Sequence, residues 1–270
     1  MPQQRDGGII SDGSTDLPAK EFATGNVLGV QVAATTLADA TRIICDAAAR
    51  KQSGYVCAAP VHSIMEAYDA PEFRMVLNEA FMVVPDGAPV AKTLRRRGFP
   101  NQSRVPGPDL TLTVCEEAAR RGMTVGFYGS SDECLKLLAE KLTARFSGLK
   151  ISYSYSPPFR QLLPAEDAEL VETIRSSQTD LLFIGLGCPK QENFMHSHAE
   201  RIGTMMLGVG AAFDFHAGLL ERAPRWMQDH GLEWLYRLLA EPKRLFARYA
   251  KHNPRFVWNA MLQTWGLKNF

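Results

Sequence analysis

The sequence predicts an α/β fold in which a mostly parallel, doubly wound sheet carries helices on both faces and is followed by a C-terminal helical appendage. Three observations lead there. Short β-branched or aromatic runs alternate with helical patterns, the rhythm of βαβ units. Those runs are apolar on both faces, as strands are when helices cover both sides of a sheet. From Arg222 onward the strands stop and only helical segments follow.

Taken in order, residues 1–24 are rich in Gly, Ser, Asp and Gln and predict a flexible N-terminus. Strands are expected over Val27–Val32, Tyr55–Cys57, Phe81–Val84, Thr124–Tyr128, Lys150–Tyr155, Asp180–Ile184 and Thr204–Val209. Helices are expected near Leu37–Lys51, Val61–Ala67, Pro108–Arg121, Asp132–Phe146, Ala165–Ser176 and Gln191–Ile202. Ser130 followed by Glu133 reads as a capping box for the fourth of these. Residues 25–221 therefore form one α/β unit. In residues 222–270, Leu232, Leu235, Leu238, Leu239, Leu245, Phe246 and Tyr249 recur at helical spacing, in segments expected to break at Pro242 and Pro254.

Charge divides at the same boundary. The 270 residues hold 30 Lys+Arg against 29 Asp+Glu, for a net +1. Up to Glu221 the balance is 21 basic to 26 acidic; from Arg222 it is 9 to 3. All four Trp (Trp226, Trp234, Trp258, Trp265) lie in this basic tail. Basic residues interleaved with Trp and Leu suit an interfacial helix on an anionic membrane, or a helical pair packed on the core with its Trp buried. Nucleic acid fits less well, because the basic residues are interspersed with large apolar ones.

Five scattered cysteines without a CxxC pair point to a reduced, cytoplasmic protein. No signal-peptide pattern opens the chain, and no apolar run approaches the roughly 20 residues of a spanning helix. Membrane contact is therefore expected to be peripheral. Oligomeric state is left open.

Ligands of open α/β sheets bind outside the carboxyl ends of the strands. Asp86, in Val84-Pro85-Asp86-Gly87, follows such a strand and is either a general base or an ordinary Asp-Gly turn residue. Gly185-Leu186-Gly187-Cys188-Pro189-Lys190-Gln191-Glu192 is either an anion-binding helix start or a tight turn. The third Gly of a dinucleotide fingerprint is missing there, which disfavours a nicotinamide-dependent oxidoreductase. Asp214 follows another strand ending in small residues, placed for a sugar hydroxyl or for pairing with a tail arginine. No DxD pair holds a divalent ion; His196 and His198 point to different sides of a helix, and His62, His216, His230 and His252 read as isolated. No metal and no cofactor is expected.

Pro85-Asp86-Gly87, Arg104-Val-Pro-Gly107-Pro-Asp109, Gly185 to Glu192, Gly208-Val-Gly210, Phe213-Asp214, Ala217-Gly218, Arg222-Ala-Pro224-Arg-Trp226, Gly231 to Arg237 and Glu241-Pro-Lys-Arg244 occur in one order. Together they closely resemble the WecG/TagA/CpsF family of bacterial glycosyltransferases, from about Gly25 to Arg248. The resemblance implies a Rossmann-like core and a membrane-associating appendage. It implies metal-independent, inverting transfer from a UDP-sugar to an undecaprenyl-diphosphate-linked saccharide at the cytoplasmic membrane face.

By the same resemblance Asp86 is the base, and Arg104, Gln191, Arg237 and Arg244 are site residues; where a further arginine is usual, this chain has Ala247 and then Arg248. Arg248 joins them as a substrate-binding candidate, as do Gly187, Lys190 and Asp214 from their places after the strands. The family usually shows Thr-x-Asn after the strand preceding Asp86; here those positions read Ala58-Ala59-Pro60. A site with fewer hydrogen-bonding groups fits a hexose donor beside the family's acetamido sugars. It also fits a non-catalytic relative that binds nucleotide sugar or lipid carrier within a polysaccharide assembly system.

Overall fold

The computed structural model describes residues 22–270; the flexible segment expected over 1–24 lies almost wholly outside them. A six-stranded parallel sheet runs in the order β4-β3-β8-β7-β5-β6. Its strands are β3 (Gly54–Ala59), β4 (Met82–Pro85), β5 (Thr124–Gly129), β6 (Lys150–Tyr155), β7 (Leu181–Gly185) and β8 (Met205–Gly208). The expected first strand, Val27–Val32, is instead an antiparallel hairpin, β1 (Thr24–Val27) and β2 (Val30–Ala33). Leu28 and Gly29 both take positive φ, +52 and +93, and reverse the chain there. Asn26 Oδ1 accepts from Gly29 N at 2.8 Å and closes the turn.

Alternation along each strand sorts side chains onto two buried layers. Val56, Ala58, Val84, Val125, Phe127, Phe183 and Leu207 face one layer, formed with α1 (Leu37–Ala49), α5 (Gly107–Arg121), α6 (Asp132–Arg145) and α9 (Ala212–Ala217). Tyr55, Cys57, Val83, Tyr128, Leu182, Ile184 and Met206 face the other. That layer holds the hairpin, α2 (Val61–Asp69), α3 (Pro71–Glu79), α4 (Ala88–Arg96), α7 (Pro164–Ser176) and α8 (Lys190–Ile202).

Two local expectations are corrected. Ser131, not Ser130, caps α6, its Oγ accepting from Cys134 N at 3.2 Å. Ser130 has φ +57, outside the extended backbone an N-cap takes, and its hydroxyl turns to Asp214. After α10 (Arg225–Asp229) and α11 (Glu233–Ala240) comes α12 (Pro242–Thr264), which runs unbroken through Pro254. Pro242 occupies its first turn, where a missing N–H costs nothing.

Helices α10 and α11 contain no buried residue. Helix α12 differs along its length: Arg244, Phe246 and Arg248 stand at its exposed start, while Phe256, Ala260 and Gln263 sink into the second layer. Arg255 forks onto Asp69 of α2, and Gln263 Oε1 accepts from Leu28 N at 3.2 Å in the hairpin turn.

Candidate active site

A cleft of about 840 Å³ opens at the carboxyl ends of β3, β4, β7 and β8, with α11 and the start of α12 as its far wall. Asp86 enters it directly after β4. Gly107 N donates to its Oδ1 at 3.4 Å. Burial first, then the Glu233 carboxylate, push the Asp86 carboxyl up to about 6 against the opposing pull of Arg104, the Gly107 N–H and Arg237. A carboxylate poised there is matched to proton abstraction near neutral pH.

Arg104 stands beside it, half-buried, donating to Glu233 Oε2 at 3.1 Å and to Gln228 O at 3.0 Å. The segment before α5 is thereby tied to α10 and α11. Arg237 of α11 lies over the Phe215 ring, 5.5 Å from its centroid. Glu241, at the junction of α11 and α12, accepts from Arg244 at 2.9 Å and stands 3.7 Å from Arg237. Arg237, Arg244 and Arg248 all line the cleft. Three guanidiniums on one wall have the charge and donor geometry that suit a multiply charged phosphate group.

At the floor, Gly187 has φ +77 and lines the cleft. Gln191 is 3% exposed. Its Oε1 accepts from Gly187 N at 3.3 Å and Gly210 N at 3.1 Å, and its Nε2 donates to Glu192 Oε1 at 2.9 Å. Its amide holds together the two loops that end β7 and β8. Lys190, in contrast, is exposed at the start of α8 and is not brought to the cleft. Asp214 lines the cleft and accepts from Ser130 Oγ and Cys134 Sγ, both at 3.5 Å. Of the tail arginines, Arg222 goes to Asp109 rather than to Asp214.

Ala58 and Pro60 also line the cleft, so the place where polar side chains were expected presents an apolar wall. Sequence patterns did not mark Ser130, Glu233, Trp234, Phe215 or Tyr249 as site residues, though they share the lining. Glu233 is the most consequential of these. Its meeting with Arg104 spans 129 positions, and no local pattern announces it.

Comparison with known sequences identifies the family. The profile described as the glycosyl transferase WecG/TagA/CpsF family matches residues 25–270. A relative from Bacillus spizizenii (strain ATCC 23059 / NRRL B-14472 / W23), an N-acetylglucosaminyldiphosphoundecaprenol N-acetyl-beta-D-mannosaminyltransferase, is 32% identical over 180 residues. The alignment covers 66% of this chain and 68% of the relative.

Proposed function

Since the chain belongs to the WecG/TagA/CpsF family and is a glycosyltransferase, we propose that it moves a hexose or N-acetylhexosamine from a UDP-sugar to an undecaprenyl-diphosphate-linked saccharide. The step belongs to cell-surface polysaccharide synthesis, inverts the anomeric carbon and needs no metal. The observation that carries it is Asp86, raised to about 6 in the same cleft that Arg237, Arg244 and Arg248 line.

Asp86 takes the proton from the acceptor hydroxyl as that oxygen attacks the anomeric carbon from the face opposite the leaving group. The bond from that carbon to the donor's phosphate oxygen breaks, and UDP departs with the electron pair. Arginines of the appendage and the Gly187 turn carry the charge it takes with it. The apolar pair Ala58 and Pro60 favours a hexose donor over an acetamido sugar, because it offers the acetamido group no hydrogen bond.

The lipid-linked acceptor calls for a membrane surface, and the appendage is suited to one. Trp226, Trp234, Trp258 and Trp265 are all exposed, as are Phe246 and Leu239, among basic residues. No helix of the described residues is long and apolar enough to cross a membrane. In this reading attachment is peripheral, on the face where UDP-sugars are available.

The test is incubation with a panel of UDP-sugars and a lipid-diphosphate saccharide, with products read by mass. A product one sugar heavier, with β linkage from an α-linked donor, is expected for one donor of the panel. No product with any donor would favour the second reading, a non-catalytic binding relative, to which Ala58 and Pro60 give the motive.

A further inference from the structure

Helix α2 carries His62 and Glu66 four positions apart, hence on one face, and α12 lays His252 against them. His62 Nδ1 lies 3.7 Å from Glu66 Oε1, and His252 Nε2 lies 3.3 Å from the same oxygen. All three atoms fall within 4.8 Å of one another. The rings meet edge to face with centroids 5.0 Å apart. His62 Nδ1 is buried without a hydrogen-bond partner, although it faces this cluster. His252, at 3% side-chain exposure, is buried too. A buried ring nitrogen with nothing to bind costs free energy, so the arrangement is incomplete as it stands.

We propose that His62, Glu66 and His252 form a site for a zinc-class divalent cation that clamps α12 to α2. Zinc held at 2.0–2.2 Å by nitrogen and oxygen in a tetrahedron sets neighbouring ligand atoms about 3.3–3.5 Å apart. The distances to Glu66, 3.3 and 3.7 Å, lie at or near that spacing, so only the imidazoles need draw together. Two nitrogens and one carboxylate oxygen leave a fourth place for water.

Zinc takes imidazole in its neutral form through a free ring nitrogen, and His62 Nδ1 is buried with no hydrogen-bond partner. Arg248 and Lys251 act electrostatically on His62 and oppose a cation held by charge alone. That selects the class of ion. Imidazole binds zinc-like ions through donor strength, whereas Mg²⁺ and Ca²⁺ require oxygen ligands and negative charge. Arg248 precedes His252 by one turn of α12, so a bound ion would brace the turn that carries a cleft arginine. His62 also lines the cleft that holds Asp86, but the clamp takes no part in the transfer step.

The full chain, stripped with chelator, is titrated with Zn²⁺ by calorimetry and with Co²⁺ under visible absorption. Expected are saturable binding of about one ion per chain, a rise in Tm, and the intense bands of four-coordinate Co²⁺. His252→Asn and Glu66→Gln each weaken binding by about 100-fold or more, while exposed His230→Asn leaves it unchanged. Absence of saturable uptake, equal uptake in His252→Asn, or Mg²⁺ bound as tightly as Zn²⁺ overturns the site. Should His252→Asn fail to fold, Glu66→Gln and the wild-type Co²⁺ spectrum decide: a six-coordinate spectrum, or unaltered affinity in Glu66→Gln, overturns it.

Discussion

Arg104 Nη1 and Glu233 Oε2 meet at 3.1 Å, joining the segment before α5 to the start of α11. Glu233 is also the charge that raises Asp86 after burial itself. One carboxylate thus positions an arginine of the cleft and tunes Asp86. Glu233→Gln keeps an acceptor for Arg104 and removes the charge. The acid limb of the kcat/KM profile should move to lower pH, because a group that raises the Asp86 pKa is gone. An unmoved limb would show that the limb does not report Asp86.

Asp86→Asn should lower turnover by about 10²–10⁴-fold while donor binding, read by calorimetry, persists. In the wild type, activity should fall as pH drops through about 6. Stability runs in the opposite sense. With a folded pKa above the ordinary 3.8, the native state binds more protons between about 4 and 6, so rising pH costs stability across that window. Asp86→Asn should therefore unfold at higher urea than wild type at pH 7, by roughly 3 kcal/mol, and equal it near pH 3.

At Ala58 and Pro60 the missing polar groups can be restored. Pro60 already stands at the N-cap of α2 without a side-chain cap, where Asn is favourable. Ala58→Thr with Pro60→Asn should raise the turnover ratio of acetamido to hexose donors about tenfold, the effect of one added hydrogen bond. An unchanged ratio would place donor choice elsewhere in the cleft.

Membrane binding is best tested by point substitutions, because a cut after Glu221 would remove Phe256 and Ala260 from the core. Trp234→Ser with Phe246→Ser should reduce flotation with anionic vesicles. Lys243→Glu should weaken it further by roughly 2 kcal/mol, since one favourable charge of about 1 kcal/mol is reversed. Flotation equal to wild type would exclude this face as the contact.

The sheet's own seam offers a stability test. A Cβ on Gly129 would lie 2.6 Å from Gly185 O, with φ at +122. Gly129→Ala should cost about 3 kcal/mol by urea unfolding, from backbone strain and overpacking together.

The parallel sheet was legible because buried strands announce themselves as short apolar runs, and six of the seven expected runs are strands of it. Helices α3, α4 and α9 were not read. Helix α3 begins one residue after α2 ends, so only the turn at Ala70 separates them, and α9 has only six residues. The hairpin escaped notice because Leu28 takes a left-handed conformation that Leu seldom adopts. Asp86 was legible from its turn and its motif. Its pKa was not, since that depends on Glu233 from another part of the chain. His62 and His252 looked solitary because 190 positions separate them, and only the seating of α12 on α2 brings them together.

That seating has a consequence for inheritance. Helix α12 is a rod of about 35 Å whose first turns serve the cleft and whose last turns fill the Leu28 turn through Gln263. The tail is therefore no exchangeable cassette. Recombination that brought in another relative's tail would also bring a foreign plug for the β1–β2 hairpin, leaving the Leu28 turn without its matched partner.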